Sequence, residues 1–252
     1  KGKLFGFMLL AGILLMAKPA LADSYYPYEI QGYDVTVKVG KDNVYHVTER
    51  LQVNFNQARH GIYRDIPVIN NVSREDGSTS RIQARVTNIK TYGEKRTVGR
   101  EGSYCRIQLG DKNKTLVGEH MYHISYDYNM GKDVRKGEDE FYYNIIGTSW
   151  DTTIQNVTFH IMMPEDIDES KVGMAYGESG STNNEGLQYT INGKVMEGYV
   201  DSSIILNPGE AVTVRMVLPD GYYDQVKQRI WPALISILLS LAAAGAAFLL
   251  WW

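Results

Sequence analysis

Apolar and polar residues alternate with a period of two in five stretches of the chain. Tyr33, Val35, Val37 and Val39 form one run. Tyr45, Val47, Leu51, Val53 and Phe55 form a second, with Glu49 the one charged residue on that apolar side. Tyr122, Ile124, Tyr126 and Tyr128 make a third, Val157, Phe159, Ile161 and Met163 a fourth, and Val212, Val214, Met216 and Leu218 a fifth. Successive side chains on a strand point to opposite faces, so each run predicts a strand with one buried side. Turn-forming clusters separate the runs: GKDN at Gly40, EDGS at Glu75, ING at Ile191 and NPGE at Asn207. No helical periodicity of useful length precedes Ile230. The expected fold class is therefore mainly β, an antiparallel β-sandwich over residues 23–222.

Both ends break this pattern. Residues 1–22 predict a signal peptide: Lys1 and Lys3 are basic, Leu4 to Ala17 is apolar, and Ala20-Leu21-Ala22 is a small-x-small cleavage site. Ile230 to Trp252 holds 23 residues without a charge, and as a helix it reaches about 34 Å, enough for a hydrocarbon core of about 30 Å. Trp231 at one end and Trp251 and Trp252 at the other sit where interfacial aromatics sit. Residues 230–252 are thus expected to form a single transmembrane α-helix, with 223–229 a juxtamembrane linker and bilayer lipid as its partner. No basic residues follow Trp252, where a cytoplasmic flank carries them, so the natural chain is expected to continue.

Charge narrows the partners. All 29 acidic residues lie between Asp23 and Arg229, whereas Lys1, Lys3 and Lys18 of the 26 basic ones belong to the leader, which leaves 23 against 29, a net charge of −6. That argues against nucleic acid and against electrostatic docking on anionic lipid. Cys105 is the only cysteine, so no intrachain disulfide is possible. No cofactor-binding motif is present, and no cofactor is expected.

The stretch ARHGIYRDIP, Ala58 to Pro67, concentrates the candidate chemistry: His60, Gly61, Tyr63, Arg64, Asp65 and Pro67. Gly61 suggests a bulge or close approach, and Pro67 bars a central strand from continuing. Arg64 and Asp65 would face opposite ways on a strand. A buried guanidinium has five donors to satisfy, which calls for a carboxylate or several carbonyls, with Glu49 or Asp65 as candidates. A structural corner held by an arginine network is the favoured reading and a ligand site the second. Catalysis comes third, since no activated nucleophile accompanies His60.

HGIYRDIP also resembles the hallmark of the domain-of-unknown-function family 2207, the YciQ-like predicted membrane proteins of bacteria. YDVTVKVGKDNVYHVTERLQVNF, DEFYYNIIGTSWDTTIQNVTFHIMMP and LNPGEAVTVRMVLPDGYY are similar to the same family, in its order. The resemblance implies an exported β-rich domain behind a signal peptide, then membrane helices, and no established activity. It places residues 23–229 on the extracytoplasmic side of a bacterial plasma membrane.

Other features weigh less. His120 and His123 lie three apart, on opposite faces of a strand, and so are not expected to share a metal. His46 and His160 stand isolated in the sequence. Glu138, Asp139 and Glu140 read as a solvated acidic turn rather than a calcium loop. The 18 tyrosines suit strands, and clusters such as SYDYN and FYYN also suit a stacking surface. Tyr142, Tyr143 and Trp150 are the candidate surface aromatics, with Tyr142 and Tyr143 on opposite faces. On the C-terminal helix Ser236, Ser240, Ala243, Ala244 and Ala247 make a stripe of small residues, a face on which another helix can pack closely.

Two functions follow. The first is a binding or scaffolding module for an envelope component or membrane-protein partner. The second is a glycan hydrolase using two of Glu49, Asp65 and Asp151.

Overall fold

A computed structural model describes residues 26–73, 77, 79–133, 137–227 and 231–251. The signal peptide expected over residues 1–22 lies outside the described residues. In chain order the strands are β1 (Tyr28–Val39), β2 (Val44–Arg59), β3 (Gly61–Pro67), β4 (Ile69–Ser73) and β5 (Thr79–Gln83). Then come β6 (Arg85–Thr91), β7 (Arg96–Glu101), β8 (Tyr104–Gly110), β9 (Leu116–Asn129) and β10 (Glu138–Ile146). β11 (Val157–Met162), β12 (Val172–Gly177), β13 (Leu187–Asn192), β14 (Val195–Val200) and β15 (Ala211–Pro219) precede one helix, α1 (Trp231–Trp251).

Among the described residues these strands form a seven-stranded sheet in the order β13-β14-β11-β1-β2-β9-β6, two three-stranded sheets, β10-β15-β12 and β3-β8-β7, and the hairpin β4-β5. The period-two runs are its inner face. Tyr33 to Val39, Tyr45 to Phe55 and Tyr122 to Tyr128 are buried at every second position, as are Val157 to Met163 and Val212 to Met216. Rings join the large sheet to the β10-β15-β12 sheet: Tyr45 lies 5.1 Å from Phe141 and 5.8 Å from Tyr143, and Tyr128 lies 5.8 Å from Tyr143. One apolar cluster spans all three larger sheets.

The seven-stranded sheet is mixed rather than purely antiparallel. β1 pairs parallel with β11, from Tyr33 opposite Val157 to Lys38 opposite Met162. Alternation reports which face of a strand is buried and carries no information on its direction, so the sequence could not show this. A second departure concerns Glu138, Asp139 and Glu140, which open strand β10 rather than forming a solvated turn. Asp139 and Glu140 are buried, Asp139 accepting the Tyr223 N–H at 3.0 Å and Glu140 the Arg215 Nε–H at 2.6 Å. Each buried charge is answered by a donor from β15 or just beyond it, as burial requires.

α1 is helical where the uncharged run predicts a helix, and side chains are described for residues 235–247. Among the described residues no helix is long and apolar enough to cross a membrane. The stripe residues Ser236, Ser240, Ala243, Ala244 and Ala247 are exposed, and the Ser240 hydroxyl donates to the Ser236 carbonyl at 2.8 Å.

Gly61 starts β3 and sits opposite Gly110 of β8, both at positive φ, 136° and 132°. A Cβ on Gly61 would lie 1.8 Å from the Leu109 carbonyl oxygen, and one on Gly110 would lie 2.0 Å from that of His60. Only hydrogen fits between these backbones. Gly61→Ala should therefore lower stability by well over about 1 kcal/mol, read as a fall in the denaturant midpoint. An unchanged midpoint would show that the close approach relaxes.

Candidate functional site

Glu49 lies on β2 between Val47 and Leu51, in register with Val35 of β1 and Ile124 of β9. The period of the strand turns its carboxylate into the apolar face, where it is fully buried. β3 brings Arg64 to it from the same side, because Ile62, Arg64 and Ile66 share the inward face. Arg64, only 2% exposed, donates from Nε to Glu49 Oε2 and from Nη2 to Oε1, each at 2.8 Å. Its Nη1 donates to the Asp65 carbonyl at 2.8 Å, and its guanidinium lies 5.6 Å from the Trp150 ring. Two tyrosine hydroxyls complete the carboxylate, Tyr33 donating to Oε2 at 2.8 Å and Tyr126 to Oε1 at 2.6 Å. Tyr143 sits 3.0 Å from the Tyr126 hydroxyl and carries the network to the second sheet.

The charges hold each other in the ionised state. Burial alone would push the Glu49 carboxyl up, but the Arg64 charge and the hydrogen bonds from Arg64, Tyr126 and Tyr33 hold it below its ordinary value. Burial works against the Arg64 charge too, and Glu49 more than offsets it, raising the guanidinium further. Tyr33, Tyr126 and Tyr143 are pushed up chiefly by burial, so their hydroxyls stay protonated.

The rest of the motif is structural in the same way. Asp65 faces outward and is bound by Arg106, its direct cross-strand partner on β8, through Nε at 2.8 Å and Nη2 at 2.7 Å. Tyr63 stands beside it, 51% exposed, with the Arg106 guanidinium 5.1 Å from its ring. His60 Nδ1 lies 2.8 Å from the Lys114 carbonyl. Pro67 ends β3, and its carbonyl accepts the Tyr128 hydroxyl at 2.8 Å. The space beside Arg64, lined in part by Pro67, Asn70, Tyr142 and Asn144, is a cavity of about 30 Å³. That is the room of a single water and far below the several hundred Å³ that organic ligands occupy.

Two of the candidate surface aromatics are core residues. Tyr143 and Trp150 are buried, Trp150 edge-on to Tyr33 at 5.7 Å, because each falls on the inward side of its segment. Tyr142, on the opposite face of β10, is half-buried. The exposed tyrosines are Tyr63, Tyr92 and Tyr199 among the described residues. The carboxylates proposed for hydrolysis are also occupied: Glu49 and Asp65 by arginines, and Asp151 by the Tyr28 hydroxyl at 2.6 Å.

What sequence reasoning missed lies on the outer face of the large sheet. His46 and Asp127 are cross-strand partners on β2 and β9, with Nδ1 2.6 Å from Oδ1. Asn88 of β6 donates to Asp127 Oδ2 at 2.6 Å. It sits at φ 52°, where the β6–β9 register slips between Thr87 and Lys90. These groups, with Thr48, Lys90 and Ser125, line a hollow of about 460 Å³. One repeat along β9, His123 stacks on the 55% exposed Tyr92 at 4.1 Å. His120, on the other face, meets Glu94 at 2.8 Å, so the two histidines are indeed separated. His160 lies between Asp34, 3.9 Å away, and Glu197, 3.4 Å away. Only the strand register brings these partners together, and no local motif marks them.

A family model described as "Predicted membrane protein (DUF2207) N-terminal domain" matches residues 29–218. The chain belongs to this family. The match covers both the corner around Arg64 and the outer hollow. No curated protein matches the sequence. Among solved structures, an M1 zinc metallopeptidase from Deinococcus radiodurans is 12% identical, with a TM-score of 0.38, over 75% of this chain and 42% of its own. Leukotriene A4 hydrolase from Saccharomyces cerevisiae is 6% identical, with a TM-score of 0.39, over 77% of this chain and 30% of its own. The chain thus spans less than half the length of either, and similarity at this level transfers neither fold nor chemistry. No group of three or more metal-ligating side chains occurs among the described residues.

Breaking the buried pair should be costly. Arg64→Ala leaves the buried Glu49 without its counter-ion, held only by the Tyr33 and Tyr126 hydroxyls, with an expected loss of about 3–5 kcal/mol in chemical denaturation. The pH dependence has a definite sign. The Glu49 carboxyl is depressed by folding, so its contribution is complete above the ordinary value of 4.5 and disappears as pH falls through the folded-state value. Stability of the wild type should drop below about pH 4.5, and Glu49→Gln, weaker at neutral pH, should show a shallower acid limb. Identical acid limbs would assign acid sensitivity to other carboxylates.

Proposed function

We propose that this DUF2207 chain is a membrane-anchored, extracytoplasmic β-sandwich that binds or scaffolds an envelope component or a membrane partner. In this reading residues 1–22 are a signal peptide, residues 23–222 the exported domain and residues 230–252 a span held by bilayer lipid. The stripe from Ser236 to Ala247 is the face on which another membrane helix packs. The Ser240 hydroxyl is satisfied within its own helix, so that face works by close approach rather than by polar contact. The family's description as a predicted membrane protein supports the anchoring. The net charge of the exported part, −6, speaks for a partner other than nucleic acid.

One observation carries the binding role. The charged groups of the most conspicuous motif are engaged by structural partners, Arg64 by the buried Glu49 and Asp65 by Arg106 on the outward face. The opposite face of the large sheet presents a hollow of about 460 Å³ lined by polar side chains. The hydrolase reading has no such support, since Glu49, Asp65 and Asp151 are each engaged by a structural donor.

The test uses the full chain in lipid nanodiscs, mixed with solubilised envelope and with purified cell-wall sacculi. Saturable capture of a defined envelope component, absent from empty nanodiscs, is the expected result. No capture from either fraction would overturn the binding role.

A further inference from the structure

We propose that the hollow on the outer face of β2, β9 and β6 is a saccharide-binding site, with Tyr92 and His123 as its stacking platform. This deepens the binding-module reading and rests on it. Four observations converge there.

The first is the chemistry of the lining. His46, Thr48, Asn88, Lys90, Ser125 and Asp127 surround the hollow, and all but Lys90 offer an acceptor within a short reach of the backbone. A sugar ring carries several hydroxyls, each both donor and acceptor, and a mixed set of short polar side chains answers that pattern. An apolar ligand finds little here, and a polyanion meets Asp127.

The second is pre-organisation. Asp127 is gripped on both oxygens, by His46 Nδ1 at 2.6 Å and by Asn88 Nδ2 at 2.6 Å. With the carboxylate holding the Nδ1 proton, His46 directs Nε2 away from Asp127. The groups sit on strands, and such rigidity lowers the ordering cost of binding.

The third is strain. Asn88 adopts φ 52° where the β6–β9 pairing slips. Left-handed backbone is costly for a residue with a side chain, Asn being the most tolerant, and bulges re-aim side chains beside sites. Here the bulge turns the Asn88 amide onto Asp127.

The fourth is the platform. Tyr92 is exposed and stacks on His123 at 4.1 Å, with the planes 20° apart. His123 precedes Ser125 by two residues on β9, so the platform adjoins the hollow along one strand face. A sugar ring laid against such a face buries its C–H surface while its hydroxyls reach the polar groups. The hollow's volume, about 460 Å³, falls in the range of small-molecule sites.

The experiment again uses the full chain in nanodiscs, with cell-wall sacculi in a sedimentation assay and chitotetraose as a soluble competitor. Wild type should pellet with sacculi and be released by chitotetraose. Asp127→Asn with Asn88→Gly removes the charge and the amide while keeping the left-handed backbone, and Tyr92→Ala removes the platform. Each should weaken binding about tenfold or more, the scale of one ligand hydrogen bond or one ring stack. Tyr63→Ala, on a different sheet, should leave binding unchanged. Thermal midpoints of all variants should match the wild type, and a variant that loses both binding and midpoint is replaced by His46→Gln. Equal binding by wild type and site variants would overturn the location but keep the module. Capture of envelope protein without sacculus or chitotetraose binding would overturn the ligand class alone. Absence of all capture would remove both.

Discussion

A carboxylate placed in the apolar face of a sheet must be answered completely, and Glu49 is. Its two oxygens take four hydrogen bonds, two from Arg64 and one each from Tyr33 and Tyr126. Those donors come from β3, β1 and β9, so one side chain on β2 fixes the mutual position of four strands. Tyr126 and Tyr143 extend the same lattice to β10. The net stability gained by burying such a pair is small, because desolvation offsets attraction. The loss on leaving one partner alone is large. The pair therefore acts mainly on alternatives. Sliding β3 by one residue would turn Arg64 to the solvent and strand Glu49 in the core, an arrangement far less stable than the native one.

That constraint explains the composition of HGIYRDIP. Gly61 lets β3 start against Gly110 where no Cβ fits, and Ile62 and Ile66 flank Arg64 on the inward face. Asp65 binds outward to Arg106 while its carbonyl takes both the Arg64 Nη1–H and the Ser149 hydroxyl at 2.8 Å. The motif alternates between two ion pairs, one on each face of the same strand. A catalytic reading arises in sequence at all, though only as the third choice, because buried structural networks and active sites draw on the same residue types.

The period-two runs were legible because burial of one face writes itself into local sequence. The exception at Glu49 was visible for the same reason, and so was the need of Arg64 for a partner. Which carboxylate would serve was not, since Asp65 is adjacent in sequence and Glu49 is brought near by folding. Asp139 and Glu140 read as a solvated turn because their partners, the Tyr223 amide and Arg215, come from a segment more than seventy residues away. Alternation put Tyr142 and Tyr143 on opposite faces but did not show which of them was core, because tyrosine and tryptophan serve cores and surfaces alike. Tyr143 and Trp150 are the buried ones. The parallel β1–β11 pair left no trace, for direction is not encoded in alternation. His46 and Asp127 meet only through the register of β2 on β9, and register is a non-local property.

Under the proposed anchoring, the C-terminal end would tie this division of faces to the membrane. Tyr222 and Tyr223 are buried, the Tyr223 N–H is held by Asp139, and the Gln225 N–H donates to the Lys41 carbonyl at the β1–β2 turn. The chain therefore leaves the domain at a fixed place. From Gln225 to the start of α1 it can reach at most about 20 Å even if fully extended. When α1 is anchored in a bilayer, that leash keeps the domain within about its own radius of the lipid surface. A site on the outer face of its large sheet then samples only the layer next to the membrane. In that layer even a modest intrinsic affinity suffices, because tethering raises the effective concentration of whatever is fixed there. If the outer hollow binds as proposed, a polar face with a single ring platform would need only weak intrinsic affinity on so short a tether.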